Sequence, residues 1–270
     1  MDKKAFLEIE RTFHDSYAKT LDWNEGVSEF MSYGKGKLPP VEIHFRKLLG
    51  NVNGKRILDI GSGHGNCALN LAKRGAIVTS IDISPELIDG CKRRAANNGL
   101  SVDFRVMNAC ELQFSEETFD SIVGFRTAHH LPDLKQFCLE AYRVLKKGGF
   151  IILVEPQKYN PFVEFGRRFI RNKETDRTPT EHPLVSKDIH LLKNIFGNLE
   201  KKEFHFLDVS SEFFKVIINL PLVYCISTRL LKFFDDVLWH IPFLRPLYWD
   251  VVLKATKKQT KRPLNLGQGE

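Results

Sequence analysis

Between Ile57 and Glu155, short unbroken apolar runs alternate with longer stretches whose apolar residues recur every three or four positions. The runs Ile57–Ile60, Ile77–Ile81, Val102–Met107, Ser121–Phe125 and Phe150–Val154 predict buried strands. The spaced patterns over Cys67–Arg74, Pro85–Asn98 and Leu134–Leu145, and a short one before Phe119, predict helices. Ser84 stands as N-cap to the second of these, with Pro85 at its first position and Leu87, Ile88, Cys91 and Ala95 on one face. Strands rich in Ile and Val, separated by helices, predict a parallel sheet covered on both faces.

The flanks follow other patterns. Residues 4–31 have helical spacing, with Phe6, Leu7, Phe13, Tyr17 and Leu21 as the buried stripe. Gly34–Pro40 interrupts it, and Val41–Leu49 predicts a second helix. Beyond Pro156, the polar stretch Gln157–Pro183 predicts a long surface loop, Ser186 caps a helix through Phe196, and Lys202–Leu207 and Trp249–Ala255 predict two more strands. The apolar stretch Phe213–Leu247 lies in an insert of about 40 residues, long for a connection in a compact domain. The expected fold is α/β: a doubly wound, mostly parallel, seven-stranded sheet of Rossmann-like form, with a helical insert between the last two strands. Residues 1–50 would form an N-terminal helical cap, 51–208 with 248–256 the core, 209–247 an apolar cap over a substrate, and 257–270 a basic flexible tail.

Charge sharpens this division. The 270-residue chain carries a formal net charge of +7. Five of those charges come from Lys254, Lys257, Lys258, Lys261 and Arg262, a segment without an acid, so only +2 remains elsewhere. That is not the basic stripe of a nucleic-acid-binding domain, and no nucleic-acid partner is expected. A basic segment next to an apolar helical one instead predicts contact with a membrane surface through 213–262. The longest uncharged run of the insert, Val216–Thr228, has 13 residues and contains Asn219 and Pro221, whereas crossing a bilayer needs about 20. Five cysteines without a C-x-x-C pair read as reduced core residues, and the N-terminus lacks the apolar run of a leader, which predicts a cytoplasmic protein.

The chemistry is concentrated at strand ends. Arg56–Asn66 runs from a strand through Gly61, Gly63 and Gly65 into a helix, a turn at which a ligand can approach the main chain closely. Asp82 ends the second strand, where a carboxylate can accept from ribose hydroxyls. Asn108–Ala109–Cys110 ends the third, where a polar side chain and a backbone N–H could read an adenine edge, and Phe119–Phe125 makes the fourth. With Asp59 ahead of the glycines, residues 57–156 resemble the class I S-adenosylmethionine-dependent methyltransferases, the type 11 branch in particular. The resemblance implies S-adenosylmethionine as cofactor. Asp59, Gly61, Ser62, Gly63 and Gly65 would hold its methionine part, Asp82 its ribose, and Ile83, Asn108 and Ala109 its adenine. Phe125 would lie beside it, and Phe13–Ala18 is similar to the leading helix of this branch, which brings Tyr17 over the cofactor.

A hydroxyl acceptor needs a base, and His129 and His130, just past the fourth strand, are the catalytic candidates. His182 is second choice, and Arg126 could steer an anionic substrate. The favoured acceptor is a hydroxyl of a small lipophilic or lipid-linked molecule. A nitrogen or carbon of a soluble metabolite or quinone is the alternative, ahead of a protein or nucleic acid. DNA amino-methylating enzymes carry an Asp/Asn-Pro-Pro-aromatic run where this chain has Gly124–His130. A non-catalytic binding role is disfavoured by the intact acids and glycines.

Overall fold

A computed structural model describes residues 2–27, 38–169, 178, 180–208 and 221–258, without the side chains of 166–169, 221–225 and 227. Seven strands form one sheet in the order β3-β2-β1-β4-β5-β7-β6. They are β1 (Arg56–Ile60), β2 (Ile77–Asp82), β3 (Asp103–Val106), β4 (Phe119–Phe125), β5 (Leu145–Pro156), β6 (Glu200–Phe204) and β7 (Asp250–Thr256). β1 to β5 run parallel, and β7 is antiparallel to both β5 and β6. The sheet order reverses outward from β1, so the loops after β1 and β4 leave from one edge on either side of a crevice, where ligands bind in open α/β sheets.

Alternation along each strand divides the core into two layers. Leu58, Ile60, Ile151 and Leu253 face α5 (Leu134–Val144) and α7 (Ser186–Phe196), packing on Phe137, Cys138 and Phe196. Ile57, Val123, Val154 and Val252 face the other side, against Phe45 of α2 (Pro40–Leu49), Leu69 of α3 (Asn66–Lys73) and Ile88 of α4 (Pro85–Asn97). Caps set the helix starts: Ser84 accepts the Leu87 N–H at 3.1 Å, and Asp133 accepts that of Gln136 at 2.9 Å.

Several expectations need correction. The N-terminal helix α1 (Lys3–Ala18) stops early, because the chain turns so that Trp23 covers Gly90 of α4; positions 28–31 lie outside the described residues. No helix precedes Phe119: residues 107–118 are turns, stapled by Arg143, which donates to the carbonyls of Leu112 and Phe114 at 2.7 Å each. The polar stretch after Pro156 is not wholly a surface loop, since it contains α6 (Pro161–Phe169) and buries Thr178 and Thr180. Ser186 is the first residue of α7 rather than its cap; the Val185 N–H is taken by Asp188 at 2.9 Å. Lys257 does not open a free tail. It is buried, with Nζ donating to the Leu145 carbonyl at 2.7 Å, while residues 259–270 lie outside the description.

The described part of the insert comprises α8 (Pro221–Leu238) and a 3₁₀ turn, Pro242–Leu247. Asp235 fastens α8 by accepting the N–H groups of Phe206, Leu207 and Asp208 at 2.9, 2.7 and 3.2 Å. Among the described residues, no helix is long and apolar enough to cross a membrane.

Arg94 shows how the segment after α1 is held. Fully buried, it donates to the carbonyls of His64, Glu25 and Gly26 and to Asn66, at 2.6–3.2 Å. Arg94→Met strips several buried acceptors of their donor, each worth about 1–3 kcal/mol. The expected result is a loss of about 3 kcal/mol, seen as a lower urea midpoint with an unchanged m-value.

Candidate functional site

At the carboxyl edge of β1, β2 and β4, α1 closes over a cavity of about 410 Å³. That volume suits a small organic ligand. The cavity is lined by Tyr17, Asp59, Gly61, Ser62, Gly63, Asp82, Ile83, Asn108, Ala109, Phe125, His129 and His130, which is every expected site residue except Gly65. Gly65 sits one step behind, as the left-handed N-cap of α3 (φ 83°), with Cys91 Sγ only 3.0 Å from where a Cβ would stand.

The glycine loop turns out to satisfy its own donors. Gly61 and Ser62 N–H both reach the Ile81 carbonyl, Gly65 N–H the Ser62 carbonyl, and Gly63 N–H the Asp82 carboxylate at 3.1 Å. The loop therefore serves a ligand through its shape, not through those donors. At Gly61 (φ 73°) a Cβ would collide with Thr127 Oγ1, so glycine is needed there for packing as well.

Beneath the loop, Ser80 Oγ donates to Asp59 at 2.7 Å and is itself in contact with Ser62 Oγ at 2.7 Å. Burial pushes the Asp59 carboxyl up to about 6, with Ser80 and Cys67 opposing and the Asp82 charge adding to the rise. Burial also raises Asp82, against His14 and the backbone N–H groups of Ser84, Gly63 and Ile83. Its two oxygens accept Ser84 and Gly63 N–H at 3.0 and 3.1 Å, which fixes the carboxylate while leaving lone pairs for a ribose. Asn108 Oδ1 already accepts the Cys110 N–H at 3.0 Å, so one lone pair of that oxygen and the amide N–H₂ remain for an adenine edge. Two fixed carboxylates, a side-chain-free turn and the flanking Ile83 and Phe125 fit a cationic nucleoside such as S-adenosylmethionine.

The other end of the cavity carries a different constellation. His129 Nδ1 lies 2.6 Å from Glu155, which ends β5 and also accepts Thr127 and Ala128 N–H at 3.0 and 2.8 Å. Burial would raise Glu155, but His129 and these N–H groups outweigh it and hold the carboxyl below its usual range. Ionised Glu155 can only accept, so Nδ1 carries the proton and a neutral His129 offers its Nε2 lone pair. His130 contacts Glu10 of α1 at 3.2 Å, and Glu10 also contacts His14 at 3.3 Å and accepts from Thr178 (2.7 Å) and Thr180. Burial opposes the ionisation of Glu10, yet His130, His14 and the threonines hold its carboxyl well below the carboxylate range.

The secondary candidates fare less well. His182 lies outside the cavity lining, with its ring nitrogen 3.3 Å from the Thr180 carbonyl. Arg126 lines the cavity, but its charge is matched by Asp250 at 2.7 Å. Sequence reasoning missed Glu10, Glu155, Thr178, Thr180 and Glu181. Two of them had readable signals: Glu155 is the acid closing an apolar strand, and Glu10 stands four residues before His14 on one helix. The described insert residues contribute nothing to the lining, and 209–220 lie outside the described residues. α8 instead turns Ile226, Leu230, Phe233, Phe234 and Val237 to solvent.

Fold and site together define a class I S-adenosylmethionine-dependent methyltransferase domain. Residues 58–153 match a family model described as a methyltransferase domain, and the domain belongs to the type 11 branch. The chain is 29% identical to the fatty-acid O-methyltransferase of Mycolicibacterium smegmatis over 51% of its own length and 56% of that protein's. It is 33% identical to the ubiquinone/menaquinone biosynthesis C-methyltransferase of Rickettsia felis over 53% and 59% respectively. It thus spans less than two thirds of the curated relatives it matches. The Haemonchus contortus phosphoethanolamine N-methyltransferase 2, solved with S-adenosyl-L-methionine, shares the fold at a TM-score of 0.58 and 17% identity, over 91% of this chain and 57% of that one.

Asp59 makes a signed prediction. Its folded pKa of about 6 exceeds the ordinary 3.8, so its contribution to stability is whole below 3.8 and falls as pH rises to about 6. Asp59→Asn escapes this loss. At pH 7 the variant should be more stable by up to about 3 kcal/mol, an advantage that vanishes towards pH 4 in urea titrations at the two pH values.

Proposed function

We propose that the chain binds S-adenosylmethionine at Asp59 and Asp82 and methylates an oxygen, a hydroxyl by preference, of a small lipophilic acceptor. The observation that carries this is the His129–Glu155 pair opening into the same cavity as the two carboxylates. When bound, S-adenosylmethionine supplies an electrophilic methyl group on a sulfonium sulfur. Asp82 would orient the nucleoside through its ribose, and Asp59 would balance its positive charge. His129 Nε2 would take the acceptor proton as the oxygen attacks, while Glu155 holds the ring and stabilises the imidazolium that forms. α1, with Leu7, Phe13 and Tyr17 on the cavity, would exclude water.

The lipophilic choice is supported by the fatty-acid and quinone substrates named for the relatives. It is supported also by the solvent-turned apolar face of α8, with Phe243 alongside at 77% exposure. That face suits a membrane interface, from which an apolar acceptor could be drawn.

Calorimetry should give one S-adenosylmethionine site per chain, weakened by Asp82→Ala. With a panel of long-chain alcohols, phenols and fatty acids, mass spectrometry should find a product about 14 daltons heavier. His129→Ala should lower kcat for a hydroxyl acceptor by about 10²–10⁴-fold but leave a carboxylate acceptor, which needs no base, nearly unchanged. No cofactor binding by the full chain would end the proposal. Flotation with anionic liposomes should carry the wild-type chain upward and leave Phe233→Glu/Phe243→Glu behind.

A further inference from the structure

Glu10, His14 and His130 meet where α1 crosses the loop after β4, and the methyl-transfer scheme leaves all three unused. Glu10 is buried, with a side chain 3% exposed, and its two oxygens live differently. Oε1 accepts the hydroxyls of Thr178 and Thr180. Oε2 is sealed from solvent and has no hydrogen-bond partner, although His14 Nε2 and His130 Nδ1 approach it at 3.3 and 3.2 Å. The two imidazoles offset the charge of Glu10, but the missing directed hydrogen bond to Oε2 leaves a cost.

A cation removes the cost. An ion about 2.1 Å from a carboxylate oxygen and an imidazole nitrogen sets them about 3.0 Å apart at right angles and about 3.4 Å apart at the tetrahedral angle. The two observed contacts fall between those limits. All three ligand atoms lie within 4.8 Å of one another, on residues that line the cavity. The threonine hydroxyls bond the oxygen that would not ligate and so orient the carboxylate as outer-shell partners do, while Thr178 Oγ1 also lies 3.3 Å from His130 Nδ1, a contact the ion would have to displace.

We propose that Glu10, His14 and His130 form a binding site for one divalent transition-metal cation of the zinc class. Two imidazoles and one carboxylate select borderline ions such as Zn²⁺, Fe²⁺ or Co²⁺ over calcium or magnesium. Three protein ligands leave coordination positions open, the pattern of a reactive rather than a structural site. Glu181, grouped with His129 and His130 within the same 4.8 Å limit, stands beside it. An acceptor oxygen would complete the coordination and lose its proton more easily there. That last role rests on the methyl-transfer proposal; metal binding itself does not.

The test uses the full chain, stripped with EDTA and dialysed. Zn²⁺ titrated by calorimetry should bind at one equivalent per chain, and Co²⁺ should give visible d–d bands without the near-ultraviolet charge transfer of thiolate ligation. Glu10→Gln, which keeps volume and the threonine contacts, and His130→Ala should each weaken Zn²⁺ binding by about 100-fold or more, at or beyond the upper end of what loss of an outer-shell partner costs. Circular dichroism would check both folds, and the wild-type Co²⁺ spectrum decides if neither variant folds. Absence of Zn²⁺ binding, thiolate ligation of Co²⁺, or affinity unchanged in both variants would overturn the site. S-adenosylmethionine titrated in parallel keeps a failure of the cofactor proposal separate from a failure of the metal site.

Discussion

Four carboxylates, Asp59, Asp82, Glu155 and Glu10, are buried around one cavity, and the placing of their partners governs much of the structure. A buried carboxylate is tolerable only if it is neutralised or well hydrogen-bonded. The chain gives each a different solution. Glu155 takes two backbone N–H groups and a histidine, Asp82 is met by the turn into α4, and Glu10 gathers two histidines and two threonines. Asp59 has only Ser80 and Cys67, and its carboxyl rises to about 6 in consequence. The parallel sheet brings Asp59, Asp82 and Glu155 together, because strands running in one direction deliver their last residues to one edge, and α1 adds Glu10.

The cofactor half of this arrangement was legible in the sequence because it is local. Asp59 and the glycines belong to one turn and Asp82 closes one strand, and the roles expected of them are what the family resemblance carried by those residues implies. The His129 candidate was legible for the same reason. Its partner was not, since Glu155 is 26 residues away in sequence and becomes a neighbour only when β5 pairs with β4. Glu10 and the threonines are further still, with a separation of 168 residues between Glu10 and Thr178. No period along a chain encodes such a contact.

The exposed face of the described insert was illegible for a different physical reason. Hydrophobicity alone does not say which surface a helix faces. α8 is fastened by its polar residue Asp235 and by Trp239, whose indole N–H reaches Glu203 at 3.1 Å. The apolar residues point away from those anchors. Similarly, the basic segment looked uniform, yet Lys254 and Lys257 spend their charge inside the fold, over the rings of Phe150 and Tyr142 at 4.5 and 5.0 Å.

The apolar stripe of α1 bears on function most directly. Only Glu10 and Ala18 of this helix are buried, although Phe6, Leu7, Phe13 and Tyr17 have the spacing of a core-facing stripe. Leu7, Phe13 and Tyr17 face the cavity, not a filled core. The helix is held down chiefly by polar contacts at its ends and middle: Lys3 to Asp133 at 2.6 Å, Asp15 to Ser84 at 2.5 Å, and Glu10 to the loop carrying Thr178. Of these, the exposed Lys3–Asp133 pair is individually weak and screened by salt. Among the described residues that stripe borders open space, which a ligand in the cavity would fill. The pattern first read as core is, in Leu7, Phe13 and Tyr17, part of the cavity wall.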